Sequence, residues 1–249
     1  MSVFGIVGGT GLEQLEGFIQ LRSHQVDTPY GATSKTIEEG RLLDKPVFYL
    51  HRHGAAKQIA PHNINYRANM WALKSLGVSH VIACNAVGGI AEHMQTGSLV
   101  VPDQLIDYTW GRQHSVADGE GGGLLHIDFT QPYDGDLRAA LIQAAQDIPI
   151  CEHAVHGVTQ GPRLETAAEI RRMEREGCDI VGMTGMPEAA IARELGMAYA
   201  CVCMVVNAAA GKSSSPLSMA EIRSALDKHA LVVPTLLGYV LSDSNLSRA

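Results

Sequence analysis

No block of lysine or arginine occurs in this sequence, and its 19 basic residues are outnumbered by 26 acidic ones, for a formal net charge of −7. Nucleic-acid and membrane-surface binding therefore have no electrostatic footprint. A small anion is not excluded, because a few local donors can hold one in an acidic protein. No apolar run reaches the roughly 18 residues that a membrane span needs. The opening Met1-Ser2-Val3-Phe4-Gly5-Ile6-Val7-Gly8-Gly9 lacks the charged start and long apolar core of a secretory signal. It reads as a first strand running into a turn, and a cytoplasmic protein is expected. Cysteine is scarce and odd in number (Cys84, Cys151, Cys178, Cys201 and Cys203), which fits buried free thiols in a reducing compartment better than a disulfide framework. Cys201-Val202-Cys203 has no second ligand pair near it in the chain, so core thiols are expected there and no metal. Internal repeats and inter-domain linkers are absent as well.

What is present is a 249-residue chain, 46% hydrophobic, enough to bury one sizeable core as a single domain. Strand-like segments are Val3–Val7, Val47–His51, His80–Ala86, Ser98–Pro102, Ala154–Gln160, Asp179–Met183 and Ala198–Val206. Several are apolar almost throughout, as expected when helices cover both faces of a sheet. Helical patterns occupy Ile64–Leu76, Asp136–Asp147, Thr166–Glu176, Pro187–Leu195 and Ser218–Tyr239. Gly77, Gly177 and Gly196 follow last helical turns, and Thr166-Ala167-Ala168-Glu169 has the form of a capping box. The expected fold is α/β, a single domain with a central mixed β-sheet flanked by helices. Gly119–Gly123 is expected to be a mobile loop.

The residues that carry chemistry fall at strand ends, where open α/β sheets bind ligands. Gly8-Gly9-Thr10-Gly11 closes the first strand; its backbone N–H groups can form an anion nest, with the Thr10 hydroxyl as a further donor. It is not a dinucleotide fingerprint, because no third glycine follows Gly11, and this disfavours a nicotinamide-dependent reductase. Gly211-Lys212-Ser213 is not a P-loop, because Val206 stands where its first glycine belongs. Arg52-His53-Gly54 offers a bidentate fork and a proton carrier. Asn85-Ala86-Val87-Gly88-Gly89 suits a flat ligand against backbone, and Glu165 precedes a helix. Met183-Thr184 leads into another helix, and Asn207 ends the strand Ala198–Val206.

In this order, the set resembles the trimeric purine nucleoside phosphorylase and methylthioadenosine phosphorylase family over essentially the whole chain. The nearest stretches are Gly8–Leu12, Arg52–Gly54, Asn65–Leu73, Gly161–Glu169 and Met183–Glu188. The resemblance implies that Thr10, Arg52, His53 and Thr184 hold phosphate, with Asn85 where a threonine is usual. It implies that Ala86 and Gly88 flank the purine and that Met183 packs under the ribose. His126 resembles a histidine lent by a neighbouring subunit to the 5′ end, so a homotrimer is expected. The partners implied are inorganic phosphate and a purine nucleoside, with no metal or organic cofactor. Asn207 would act on the leaving base, and Arg52 with His53 on the nucleophile.

Two departures from the methylthioadenosine branch narrow the substrate. Asn207-Ala208-Ala209 replaces its Asp-Tyr-Asp segment, and Glu165 replaces a serine; both follow the 6-oxopurine enzymes. A carboxylate accepts from the N1–H of hypoxanthine and repels the N1 lone pair of adenine. An amide donates to O6 and accepts from N7–H. A pocket built for one pattern rejects the other by roughly 10⁴-fold, because mismatched groups stay buried and unpaired. Counting on from Asn207 places Met219 where inosine enzymes have a histidine, and a thioether suits a methylthio group. The expected substrate is 5′-methylthioinosine, then inosine or guanosine, then methylthioadenosine.

Overall fold

The computed structural model describes residues 2–55, 59–117, 123–146, 148–213, 218–243 and 246, so residues 119–122 of the glycine-rich segment lie outside it. Among these residues the strands are β1 (Phe4–Gly8), β2 (Phe18–His24), β3 (Ile37–Leu42), β4 (Lys45–His51), β5 (His80–Gly89), β6 (Leu99–Val100), β7 (Gln104–Asp107), β8 (Ile150–Cys151), β9 (Val155–Val158), β10 (Ile180–Gly182) and β11 (Ala198–Ala208). The helices are α1 (Tyr66–Ser75), α2 (Gly135–Ala144), α3 (Ala167–Arg175), α4 (Glu188–Glu194) and α5 (Met219–Val240).

β5 organises the sheet. Its first half pairs in parallel with β1, its whole length with β11, and its last residues run antiparallel to β10. From β1 the sheet continues to β4, β3 and β2; from β10 it continues to β9 and β7; from β11 it continues to β6 and β8. The sheet is mixed, and helices cover both of its faces. Along β11, Val202 and Met204 join a core layer with Leu141 of α2 and Leu236 of α5. Cys201, Cys203 and Val205 join the opposite layer with Met70 of α1 and Ile191 of α4. A period-two strand covered on both sides must be apolar at every position, which is why this segment reads as an unbroken apolar run.

Each expected strand and helix forms, with ends displaced by a few residues. Asn65 and Thr166 cap α1 and α3, the latter in a complete capping box with Glu169. Gly77, Gly177 and Gly196 adopt φ of +86°, +92° and +65° after helix ends, a conformation that favours glycine. The unexpected strands are β2, β3, β7 and β8. β2 is an edge strand whose middle five residues are exposed, and β3 reads Ile-Glu-Glu-Gly-Arg-Leu, so neither shows an apolar run. No described helix is long and apolar enough to cross a membrane.

Burial lowers the pKa of His51, His53, His80 and His229 below the ordinary histidine value. The unfolded chain takes up these protons near pH ~6.5 while the folded chain refuses them, so stability falls as pH falls. The melting temperature is expected to be nearly flat above about pH 7 and to drop between about pH 6.5 and 5. A melting temperature constant through that window would show that these imidazoles titrate freely in the folded protein.

Candidate active site

The C-terminal ends of β1, β4, β5, β10 and β11 open into a cavity of about 950 Å³, room for a nucleoside and a small anion. Thr10, Arg52, His53, Ala86, Gly88, Glu165, Met183, Thr184, Asn207, Ala208 and Ala209 all line it.

One end is rich in donors. A Cβ on Gly9 would lie 2.6 Å from the Cys84 carbonyl oxygen and 2.8 Å from Arg52 Nη1, so only glycine fits this turn. The Gly11 N–H donates to Glu13 Oε1 at 2.9 Å, so one group of the expected nest is already occupied. Arg52 is fully buried, and the expectation that its bidentate fork faces phosphate needs correction. Nε and Nη2 donate to Glu188 Oε2 and Oε1, each at 2.9 Å, and Nη1 donates to the Cys84 carbonyl at 3.0 Å. A guanidinium this deep needs a counter-charge, and Glu188 supplies it. Burial alone would lower the Arg52 pKa; Glu188 more than offsets this and raises it. Of five N–H donors, those not committed to Glu188 and Cys84 remain for a ligand. Tyr199 also donates to Glu188 Oε1, at 2.9 Å.

His53 Nδ1 donates to the Ile59 carbonyl at 2.9 Å, and burial lowers the pKa of the ring. In that neutral tautomer Nε2 carries a lone pair. Thr184 is buried, and its hydroxyl donates to Asn85 Oδ1 at 3.2 Å. Asn85, expected to hold phosphate itself, is instead buried behind Thr184, off the cavity wall. The reason is its place on β5, within the sheet and beneath the strand ends that form the wall.

The other end is flatter. Thr159 Oγ1 donates to Glu165 Oε1 at 2.6 Å, leaving Oε2 of the carboxylate as an acceptor. Between Val205 and Asn207 the β11–β5 register shifts, and this bulge re-aims Asn207. Its Nδ2 donates to the Ala208 carbonyl at 2.7 Å, which leaves one N–H and Oδ1. A Cβ on Gly88 would come within 3.4 Å of Asn207 Nδ2 and of the Ala209 Cα, a tight fit on the flat wall. Gly161 adopts φ +61°, and a Cβ there would lie 2.6 Å from Met183 Sδ, so the Glu165 loop packs directly over Met183.

Two further expected residues are not brought in. Met219 is 62% exposed and lies off the wall, where α5 contributes Glu221 and Ile222 instead. It occupies the first residue of α5, one turn before Ile222, above the stretch that reaches the cavity. His126 is exposed beside Leu124 and Leu125, which are 80% and 50% exposed, and it is not on this chain's cavity wall. No local pattern pointed to Glu188 as the partner of Arg52, nor to Thr159 as the support of Glu165. Lys212, part of the false P-loop, lines the cavity and pairs with Glu174 at 2.6 Å. Cys201 and Cys203 lie in the core as expected, but His156 comes from β9 to join them, with ligand atoms all within 4.8 Å. The absence of a nearby ligand thus holds only along the chain.

The sequence signature of the Phosphorylase superfamily matches residues 3–239. A protein of Pseudomonas syringae pv. tomato named probable S-methyl-5′-thioinosine phosphorylase is 51% identical over 246 residues, covering 98% of this chain and 100% of that one. The 6-oxopurine nucleoside phosphorylase of Pyrococcus furiosus is 43% identical over 235 residues, covering 92% and 88%. In three dimensions the chain is similar to methylthioadenosine phosphorylase from Schistosoma mansoni in complex with adenine, with a TM-score of 0.92, 31% identity, and 97% and 91% coverage. With a match that spans nearly every element around the cavity, the chain belongs to the Phosphorylase superfamily.

Proposed function

We propose that the protein cleaves S-methyl-5′-thioinosine with inorganic phosphate, yielding hypoxanthine and 5-methylthioribose 1-phosphate in purine salvage. The observation that carries the base assignment is the Glu165 carboxylate on the cavity wall, fixed through one oxygen by Thr159 and open at the other. That oxygen accepts from N1–H of a 6-oxopurine and repels the N1 lone pair of adenine. The free N–H of Asn207 serves O6, and its Oδ1 serves N7–H as the base departs. The methylthio assignment draws on the relatives named for that substrate, of which the Pseudomonas protein is one.

The C1′–N9 bond breaks with its electron pair going to the base, which takes a proton at N7 from solvent while the hydrogen phosphate releases its own proton on becoming the sugar 1-phosphate. Phosphate forms the new bond to C1′ from the opposite face of the sugar. Positioning and electrostatics supply the catalysis. Thr10 and the uncommitted Arg52 donors face the phosphate, the Thr184 hydroxyl turns to it from Asn85 Oδ1, and neutral His53 accepts a phosphate O–H through Nε2. His126, exposed on its own chain, reaches the 5′ end of a neighbour's substrate in a cyclic trimer. An inosine or guanosine phosphorylase is the second reading; it is favoured by the position of Met219, which leaves no thioether from this residue on the wall.

In a panel of methylthioinosine, inosine and methylthioadenosine, run with and without phosphate, base release should require phosphate. It should be fastest for methylthioinosine and nearly absent for methylthioadenosine. Efficient use of methylthioadenosine would overturn the base assignment, and equal use of inosine would select the second reading. Glu165→Gln should weaken hypoxanthine binding by about 1–3 kcal/mol and erode discrimination against adenine. Arg52→Ala should raise the KM for phosphate and, by stranding Glu188, cost about 3–5 kcal/mol of stability in a denaturant titration. Wild-type phosphate kinetics in that variant would remove Arg52 from the anion site. Sedimentation of the active enzyme should give a trimer; full activity in a monomer would refute the role of His126.

A further inference from the structure

Arg112, in the loop after β7, lines neither end of the cavity, yet it is 9% exposed and makes more hydrogen bonds than any residue that does. Nη2 donates to the carbonyl oxygens of Thr159 at 3.1 Å and Gln160 at 2.8 Å, and Nε to Gln160 Oε1 at 3.2 Å. Nη1 donates to the carbonyl oxygens of Met183, at 2.9 Å, and Met186, and to the Tyr66 hydroxyl at 3.2 Å. Among the described residues no carboxylate forms an ion pair with it. A buried cation without a counter-ion is costly, and here the oxygens of two loops offset the cost.

Those loops carry the two ends of the site. Thr159, held at its carbonyl, donates its hydroxyl to Glu165 at 2.6 Å. Met183 and Met186, held at theirs, bracket Thr184 and Gly185. Gly161, Gly182 and Gly185 lie in or beside these loops and contribute no side chains of their own, so the backbone there needs an external tie. A planar fork can grip acceptors on two sides at once; an ammonium is a point donor and cannot.

We propose that Arg112 is a positioning residue that ties the purine-selecting carboxylate of Glu165 to the phosphate-binding hydroxyl of Thr184. The inference rests on the base and phosphate assignments above and extends them. One guanidinium sets the distance between the nucleophile's cradle and the base's anchor, the separation that an in-line attack at C1′ demands. A misplacement of about 1 Å between such groups costs on the order of 100-fold in rate.

The test compares Arg112→Lys and Arg112→Gln with the wild type at a temperature well below every melting transition. Two readouts are followed: the KM for phosphate and the ratio of kcat/KM for methylthioinosine over methylthioadenosine. Both should change together in each variant, with kcat/KM lowered about 10- to 100-fold, and the charge-preserving lysine should not rescue. A structural role would lower the melting temperature and leave both readouts at wild-type values; that result in Arg112→Lys overturns the proposal. Should neither variant fold, Gln160→Leu and Tyr66→Phe, each of which removes one side-chain acceptor of Arg112, separate the two arms. Gln160→Leu should lower the ratio with phosphate KM unchanged, and Tyr66→Phe should raise phosphate KM with the ratio unchanged. Wild-type behaviour of both variants overturns the proposal too. Loss of phosphate-dependent base release in the wild type, by contrast, would discard the functional reading itself.

Discussion

The buried pair between Arg52 and Glu188 is the constraint from which the site is built. Its guanidinium stands at the end of β4, its carboxylate opens α4, and neither has any exposed side-chain surface. Through Cys84 it touches β5, through Tyr199 it touches β11, and Gly9 at the end of β1 packs against it without a side chain. Burying two charges costs several kcal/mol each before their attraction is counted, so such a pair adds little net stability. What it provides is placement. The ends of β1 and β4, the interior of β5 and the start of β11 all meet this one ion pair, and its arginine lines the cavity.

Sheet and helices serve that placement in a simple way. Both faces of β5 and β11 are sealed by apolar layers, so polar chemistry is confined to the ends of the strands. The β11 bulge marks the boundary: Val205 still belongs to the core, and two residues later Asn207 faces the cavity. A second arginine, Arg112, is held by backbone oxygens of the loops after β9 and β10 in place of a carboxylate.

Sequence patterns carry local information, and what was legible follows from that. Doubly covered strands announce themselves as apolar runs, and helix ends by glycine or a capping box, so the central fold could be read directly. The edge strand β2 could not, because an exposed strand is not under pressure to be apolar, and β3, paired on both sides and mostly buried, interrupts its apolar ends with Glu38, Glu39, Gly40 and Arg41. Thr10, His53, Thr184, Glu165 and Asn207 were legible as cavity residues because strand ends concentrate function. The ion partner of Arg52 was not, since nothing local links a residue at the end of β4 to one opening α4. Asn85 was misplaced for a related reason: a motif gives order along the chain but not depth below a surface. Met219 was reached by counting across a connection whose path no local pattern determines.

Gly9 carries a consequence for how such a site changes over time. Every single-base change of a glycine codon that still encodes a different amino acid introduces a Cβ, and here that carbon would meet both the Cys84 carbonyl and the Arg52 guanidinium. No stepwise route leads away from glycine without disturbing the buried pair itself. Drift in anion affinity is thereby channelled to Thr10 and Thr184, whose side chains can be exchanged for near-neighbours, while the turn beneath them stays fixed as a mutational dead end.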